Sequence, residues 1–206
     1  MAVADLPVPC LRTNTPGLLA DNEEEHFDIV DDSNRVIGRE KRSIVHATGL
    51  KHRAVYCFVF NQHGKLLMQQ RSPRKKIGRL QWDLSVAEHL QPGESYKEAA
   101  SRGLQEELGI SVAATSLKGP LVPTHLRQLH VPEVGVTDCE FVTSFRLDEW
   151  QGHVIADPAE VHAWKFAEIP DIQADMELHP DEYTAWFRAE VHAVAQQHAA
   201  NSCEVQ

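Results

Sequence analysis

The stretch from Glu88 to Ile110 constrains the fold more than any other part of the chain. Glu88-His89-Leu90-Gln91-Pro92-Gly93-Glu94 contains a Pro-Gly pair that forces a tight turn. Ser95 then opens a run in which Tyr96, Ala99, Ala100, Gly103, Leu104 and Leu108 recur three and four residues apart, the period of an amphipathic helix. Both ends are punctuated: Ser95 with Glu98 makes a capping box, and Gly109 supplies a residue able to close the helix in a left-handed conformation. Adjacent carboxylates, Glu106 and Glu107, stand near the far end. At i, i+4 spacing, Gly103 and Glu107 share one helix face while Arg102 and Glu106 share the neighbouring one. Such a helix must bury its apolar face on a sheet, and strand patterns occur on both sides of it.

Ala54 to Phe60 is a β-branched and aromatic run, Asn61-Gln62-His63-Gly64 is a turn, and Lys65 to Arg71 follows as a second strand. Phe27 to Val30 and Val36 to Arg39 flank the turn formers Asp31-Asp32-Ser33-Asn34 and read as another hairpin, followed by a short helical segment around Arg42 to His46. Thr137 to Arg146 and Val161 to Phe166 read as later strands. Pro180-Asp181 is expected to open a last helix through Tyr183, Trp186, Phe187, Val191 and Val194. The order predicts a mixed α/β domain, helices covering a curved sheet. Residues 1–24, with Pro7, Pro9, Pro16 and Gly17, are expected to form a flexible arm, residues 25–200 a single domain and residues 201–206 a tail.

Charge and length exclude several functions. Twenty Lys and Arg against 30 Asp and Glu give a net charge of −10, which opposes sequence-independent nucleic-acid binding. The longest apolar run, Ala54 to Phe60, is far shorter than the roughly 18–20 residues that span a bilayer. Cys10, Cys57, Cys139 and Cys203 form no CxxC pair, so a reducing compartment is expected. No signal or transit pattern opens the sequence, and a cytoplasmic location is the expectation. Against the acidic background, Arg71, Arg74, Lys75, Lys76 and Arg79 crowd into one segment. They suit either a solvated edge strand or a site for a small, multiply charged anion. Read alone, Glu106 is a surface partner for Arg102.

The segment from Glu88 to Ile110 resembles the Nudix box, in which a turn leading into a rigid helix presents carboxylates that hold Mg²⁺ or Mn²⁺ against a diphosphate. Glu94, Arg102, Leu104, Glu106, Glu107, Gly109 and Ile110 fall in register with that signature without a gap. Two positions depart from it: Glu88 replaces the opening Gly, and Gly103 replaces a Glu that in Nudix hydrolases commonly ligates metal or acts as base. The flanking Gly49-Leu50-Lys51-His52-Arg53-Ala54, Gln69-Gln70-Arg71-Ser72, Lys75 and Trp82 to His89 resemble type 1 isopentenyl diphosphate isomerase and its Nudix relatives, over roughly Glu25 to Trp164. That resemblance implies a Nudix α/β/α sandwich, Arg71 and Lys75 as binders of substrate diphosphate, and a metal surrounded by His52, His89, Glu107 and the acidic pair Asp138-x-Glu140. It also matches His46 to the isomerase's first metal-binding histidine. Ala87 stands where the isomerase carries its catalytic cysteine, and a methyl group neither donates nor accepts a proton.

The leading expectation is a hydrolase of a small diphosphate-containing molecule, with Glu106, Glu107, His52, His89 and Glu140 toward metal and Arg71 and Lys75 toward phosphate. The base is sought among Glu140, Glu160 and Glu88. The alternatives are an isomerase-like enzyme with altered acid/base chemistry and a diphosphate-binding domain weakened by Gly103. Oligomeric state is not legible in the sequence.

Overall fold

The computed structural model describes residues 21–203, with side chains described through residue 196. Most of the expected N-terminal arm, together with Cys10 and residues 204–206, lies outside the described residues. Nine strands and four α-helices are present among the described residues. β1 (His26–Val30) and β2 (Val36–Lys41) form a separate antiparallel hairpin. α1 (Arg42–Thr48) follows directly and is closed by Gly49 in the left-handed region, at φ 69°. A Cβ there would lie 2.9 Å from the Thr137 Cγ2, so both dihedral and space require glycine.

β3 (Lys51–Asn61) is the central strand. It pairs antiparallel with β6 (Val86–His89) on one side and parallel with β8 (Val136–Trp150) on the other, and β7 (His125–Val131) continues that sheet beyond β8. The Asn61 turn leads to β4 (Leu66–Arg71), which carries β5 (Trp82–Asp83) and β9 (Val161–Ala167) as antiparallel partners. The apolar run of β3 is buried on both faces, which explains why it lacks polar alternation. Ala54, Tyr56, Phe58 and Phe60 pack with α3 (Ile169–Leu178) and α4 (Ala185–Cys203), while Val55, Cys57 and Val59 pack with α2 (Tyr96–Leu108). The result is the expected α/β/α sandwich with a mixed sheet.

The α2 ends form as the sequence predicts. Ser95 Oγ accepts from the Glu98 amide, the Glu98 carboxylate accepts from the Ser95 amide, and Gly109 sits at φ 66°. The expected helix from Pro180 does not form as one piece. Pro180–Glu182 makes a 3-10 turn and α4 starts at Ala185. The intervening chain stays extended because the Thr184 amide donates to the Trp82 carbonyl at 2.9 Å, and the Thr184 hydroxyl accepts from the Phe187 amide. α3, opened by Pro170 in its first turn, and the half-exposed edge strand β7 were not expected from the sequence. Residues 201–203, expected as tail, belong to α4. Residues 21–25 are docked: Asp21, Glu23, Glu24 and Glu25 pair with Arg42, Lys75, Lys76 and Lys41. No helix of the described residues is long and apolar enough to cross a membrane.

Candidate active site

Strand register gathers the first group of side chains. His52 of β3 lies opposite Glu140 of β8, which lies opposite Arg127 of β7, and His89 of β6 lies opposite Ala54 of β3. Asp138 precedes Glu140 by two residues and therefore shares its face. α1 adds His46, and the reversal at Gly49 folds the chain back so that His46 and His52 come together. Phe27 of β1 supports the cluster from beneath, its ring stacked on His52 at 5.1 Å and on His89 at 4.6 Å. One ligand atom each from His46, His52, His89 and Asp138 lies within 4.8 Å of all the others. Glu140 adjoins them, its Oε1 3.0 Å from His89 Nε2.

The donor chemistry of this cluster fits a divalent cation. His52 Nδ1 is 3.0 Å from the Leu50 carbonyl, which accepts only, so Nδ1 donates there and Nε2 is turned to the carboxylates. Nε2 faces Asp138 Oδ1 at 3.3 Å, an approach that favours a positive charge between them, either a proton or a metal ion. Nε2 of His46, His52 and His89 and Oδ1 of Asp138 are all buried without a hydrogen-bond partner, so these close approaches are not directed hydrogen bonds. Burial, reinforced by the neighbouring His89 and Arg42, pushes the His46 pKa down to about 2, leaving a neutral imidazole. For His52, burial acts downward but the Asp138 and Glu140 carboxylates hold the pKa above its ordinary value. Burial would raise Glu140, yet Arg127 and His89 hold it well below the usual carboxylate range.

A second group stands on the opposite face of β6. Ala87 packs toward α4, while Val86 and Glu88 turn to α2 and lie over Gly103. A Cβ at Gly103 would sit 2.7 Å from Val86 Cγ1 and 3.2 Å from Glu88 Cβ. The two departures from the Nudix signature are thus reciprocal: the glutamate stands on the strand, and the helix beneath it carries no side chain. Glu107 of α2 is buried and accepts from Gln69 Nε2 at 2.6 Å. Burial, with repulsion from Glu88 and Glu160 outweighing the pull of Lys75, pushes the Glu107 carboxyl up to about 8. Glu88 is likewise raised by burial, against the opposing charges of Arg102 and His89. Glu88, Glu106, Glu107 and Glu160 line an open pocket of about 420 Å³ with Lys75, Arg42 and Arg102.

Arg102 is the structural tie of the box. Its guanidinium grips both Glu94 oxygens at 2.9 and 3.0 Å, the His89 carbonyl at 2.8 Å and Glu106 at 3.0 Å. Glu106 is exposed at the pocket rim. The α2 C-terminus is held by the following loop, where Ile155 and Asp157 amides donate to the Leu108 and Glu107 carbonyls. That loop also leads to Glu160, which pairs with Lys75.

The structure therefore separates what the sequence resemblance grouped around one metal. His46, His52, His89, Asp138 and Glu140 form one cluster, and Glu107 belongs to the other with Glu88, Glu106 and Glu160. The two anion hooks share Asp21 as a neighbouring charge but differ in their contacts: Lys75 faces the open pocket, whereas Arg71 is held by Asp83 at 3.1 Å and by the Ile77 carbonyl, with its guanidinium over Trp186. Several participants escaped the sequence reading. Arg42 stands one helical turn before His46, a spacing that would have flagged it. Gln69 lay in a matched segment but was given no role, and Asp21 and Arg127 carried no local signal. Asp21 is notable because its carboxylate lies 3.3 Å from Arg42 and 3.5 Å from Lys75 and accepts from the Lys76 amide at 2.8 Å.

Comparison with known proteins agrees with this architecture. The NUDIX domain profile matches residues 50–187. An isopentenyl-diphosphate delta-isomerase of Halorhodospira halophila is 34% identical over 165 residues, covering 80% of this chain and 91% of that protein. An uncharacterised Nudix hydrolase of Nostoc is 43% identical over 102 residues, covering 48% of this chain and 60% of that protein. Among solved structures, DR0079 from Deinococcus radiodurans superposes with a TM-score of 0.62 at 22% identity, covering 82% of this chain and 98% of that one. A MutT protein from Methanosarcina mazei gives a TM-score of 0.57 at 20% identity, covering 71% and 94%. With the box on α2, the sandwich around it and relatives of this extent, the chain belongs to the NUDIX family, on its isopentenyl-diphosphate isomerase-like branch.

Proposed function

We propose that the protein is a metal-dependent hydrolase that cleaves a small diphosphate-containing substrate in the open pocket beside α2. The observation that carries this reading is the juxtaposition, in one pocket, of Glu88, Glu107 and Glu160 with Lys75 and Arg42. Lys75 and Arg42 hold phosphate oxygens, the two cations now engaged by Asp21. Glu107 and Glu106 would hold a divalent ion there, which would neutralise charge at the diphosphate and lower the pKa of water. Glu88 is assigned as base: it takes a proton from water as the water oxygen attacks phosphorus and the bond from phosphorus to the leaving oxygen breaks. Its burial-raised pKa suits that task. Glu160, tied to Lys75, orients that lysine. Glu140, held by Arg127 on the other face, is assigned to the histidine cluster and not to proton transfer.

The donor sets favour different ions. Oxygen-only ligands from Glu107 and its neighbour Glu106 suit Mg²⁺, whereas the three imidazoles with Asp138 suit a divalent transition-metal ion. Buried free thiols at Cys57 and Cys139 fit a reducing, cytoplasmic setting.

The retained histidine cluster and the 34% identity to an isomerase favour a second reading, isomerisation by altered acid/base chemistry. Against it, Ala87 presents only a methyl group beside Tyr56, its partner across the β3–β6 ladder. Incubation with isopentenyl diphosphate and Mg²⁺ separates the two, since isomer without phosphate release supports the second reading. For the first, a panel of diphosphate esters and anhydrides with Mg²⁺ or Mn²⁺ is expected to yield phosphate products. Glu88→Gln is expected to lower kcat by about 100-fold or more; full activity in that variant removes Glu88 as base.

A further inference from the structure

On the α4 side of the sheet, Tyr56, Ala87, Ile77 and the Trp186 indole enclose a second cavity beside the histidine cluster. One wall is apolar, built by Ala54, Ile77, Ala87 and Trp186, and a guanidinium lies against it. Arg127 reaches in from the edge strand β7, with Nε 3.1 Å from Glu140 Oε2, Nη2 bonded to that same oxygen and 3.2 Å from Asp138 Oδ2, and its carbon centre 5.5 Å from the Trp186 ring. Arg71 adds a second cation over the same indole at 5.1 Å. The free space left is about 60 Å³. That is well under the ~150 Å³ of a cavity that accommodates a six-carbon ring.

We propose that Arg127 is a specificity-determining residue: by filling the cavity beside Ala87 with a paired guanidinium, it closes the inner site to branched hydrocarbon. The accepted substrates are then diphosphates whose remaining part is polar and leaves through the open pocket beside α2. This rests on the proposed diphosphate site at Lys75 and Arg42. Each wall contributes: the ion pairs to Glu140 and Asp138 fix the guanidinium, Trp186 covers its face, and β7 pairs with β8 through seven residues, so the arginine is anchored on a sheet.

Calorimetric titration with Mg²⁺ and two probes, inorganic pyrophosphate and dimethylallyl diphosphate, tests this without reference to turnover. Hydrocarbon buried in an open cavity gains about fourfold in affinity per methylene. The native protein is expected to bind the two probes within about threefold of each other. Arg127→Ala, which empties the cavity, is expected to prefer dimethylallyl diphosphate by at least about tenfold. Should that variant fail to fold, the native ratio alone decides. A native preference for the prenyl probe of tenfold or more overturns the inference, as does a folded Arg127→Ala with no gain in preference. Failure of pyrophosphate to bind at all overturns both the inference and the diphosphate site on which it rests.

Discussion

Replacing Glu107 by Gln separates the two roles that a buried carboxyl can play. In the metal-free protein Glu107 is raised from 4.5 to about 8. Between those values the folded state holds a proton that the unfolded state has released, so stability falls as pH rises through that window. At roughly 1.4 kcal/mol per unit, the penalty at pH 8.5 is several kcal/mol, with about 5 as an upper figure. Gln has the shape of the protonated acid and can still accept from Gln69 Nε2. Metal-free Glu107→Gln is therefore expected to match the native protein at pH 5 and to exceed its stability at pH 8.5. Mg²⁺ should reverse that order, because it stabilises only a chain that binds it, by RT ln(1 + [Mg²⁺]/Kd). Urea denaturation at both pH values, with EDTA and with saturating Mg²⁺, reads all four states. If metal-free Glu107→Gln is less stable than native at pH 8.5, the carboxylate is ionised and paired with Lys75, and the electrostatic account of this pocket is wrong.

Other perturbations follow from the same geometry. Asp21 is drawn down to about 2, burial working against the shift and Lys75, Arg42 and the Lys76 amide producing it. Its contribution, on the order of 2 kcal/mol, is present above pH 4 and lost as pH falls toward 2, so the acid-unfolding profile of Asp21→Asn should lack that component. The same variant frees Lys75 and Arg42 and is expected to bind pyrophosphate more tightly in calorimetry; weaker binding would place Asp21 among the ligands instead. Gly103→Ala gains helix propensity of up to about 1 kcal/mol but forces a Cβ to 2.7 Å from Val86. Such overpacking costs about 1–3 kcal/mol, so a lowered Tm is expected. His52→Ala should abolish Mn²⁺ uptake at the histidine cluster, seen as loss of the corresponding step in a Mn²⁺ titration, while leaving Mg²⁺ binding at Glu107 in place.

Local signals made the helix and central strands readable. The Ser95–Glu98 box and Gly109 fix α2 through bonds between residues adjacent in sequence, and Ala54–Phe60 could only be a strand buried on both faces. The placement of Glu107 on α2, and of Lys75 in the loop just after β4, was readable for the same reason, because the geometry of those segments is local. What sequence spacing concealed is the division of the site by the sheet. Ala87 and Glu88 are neighbours in the chain but point to opposite faces, so a list of polar residues reads as one centre where the strand makes two. Arg127 was hidden because its neighbour Glu140 is reached only through β7–β8 pairing, and β7 shows half-exposed alternation without a strong apolar face. Asp21 was hidden because its partners lie more than 20 residues away and its segment reads as polar linker. The Pro180 helix start misled because a tertiary bond, Thr184 to Trp82, outweighed a local start signal.

Two clusters on opposite faces of β6 are proposed to hold divalent ions, the one beside α2 against a diphosphate. Crystals grown with Mn²⁺ and pyrophosphate, measured at the manganese absorption edge, address this directly. One anomalous peak is expected among His46, His52, His89 and Asp138, a second against Glu107, and the pyrophosphate between that second ion and Lys75. Crystals that contain Mn²⁺ and pyrophosphate in the mother liquor yet show no peak at either cluster, or pyrophosphate away from Lys75 and Arg42, would contradict the account.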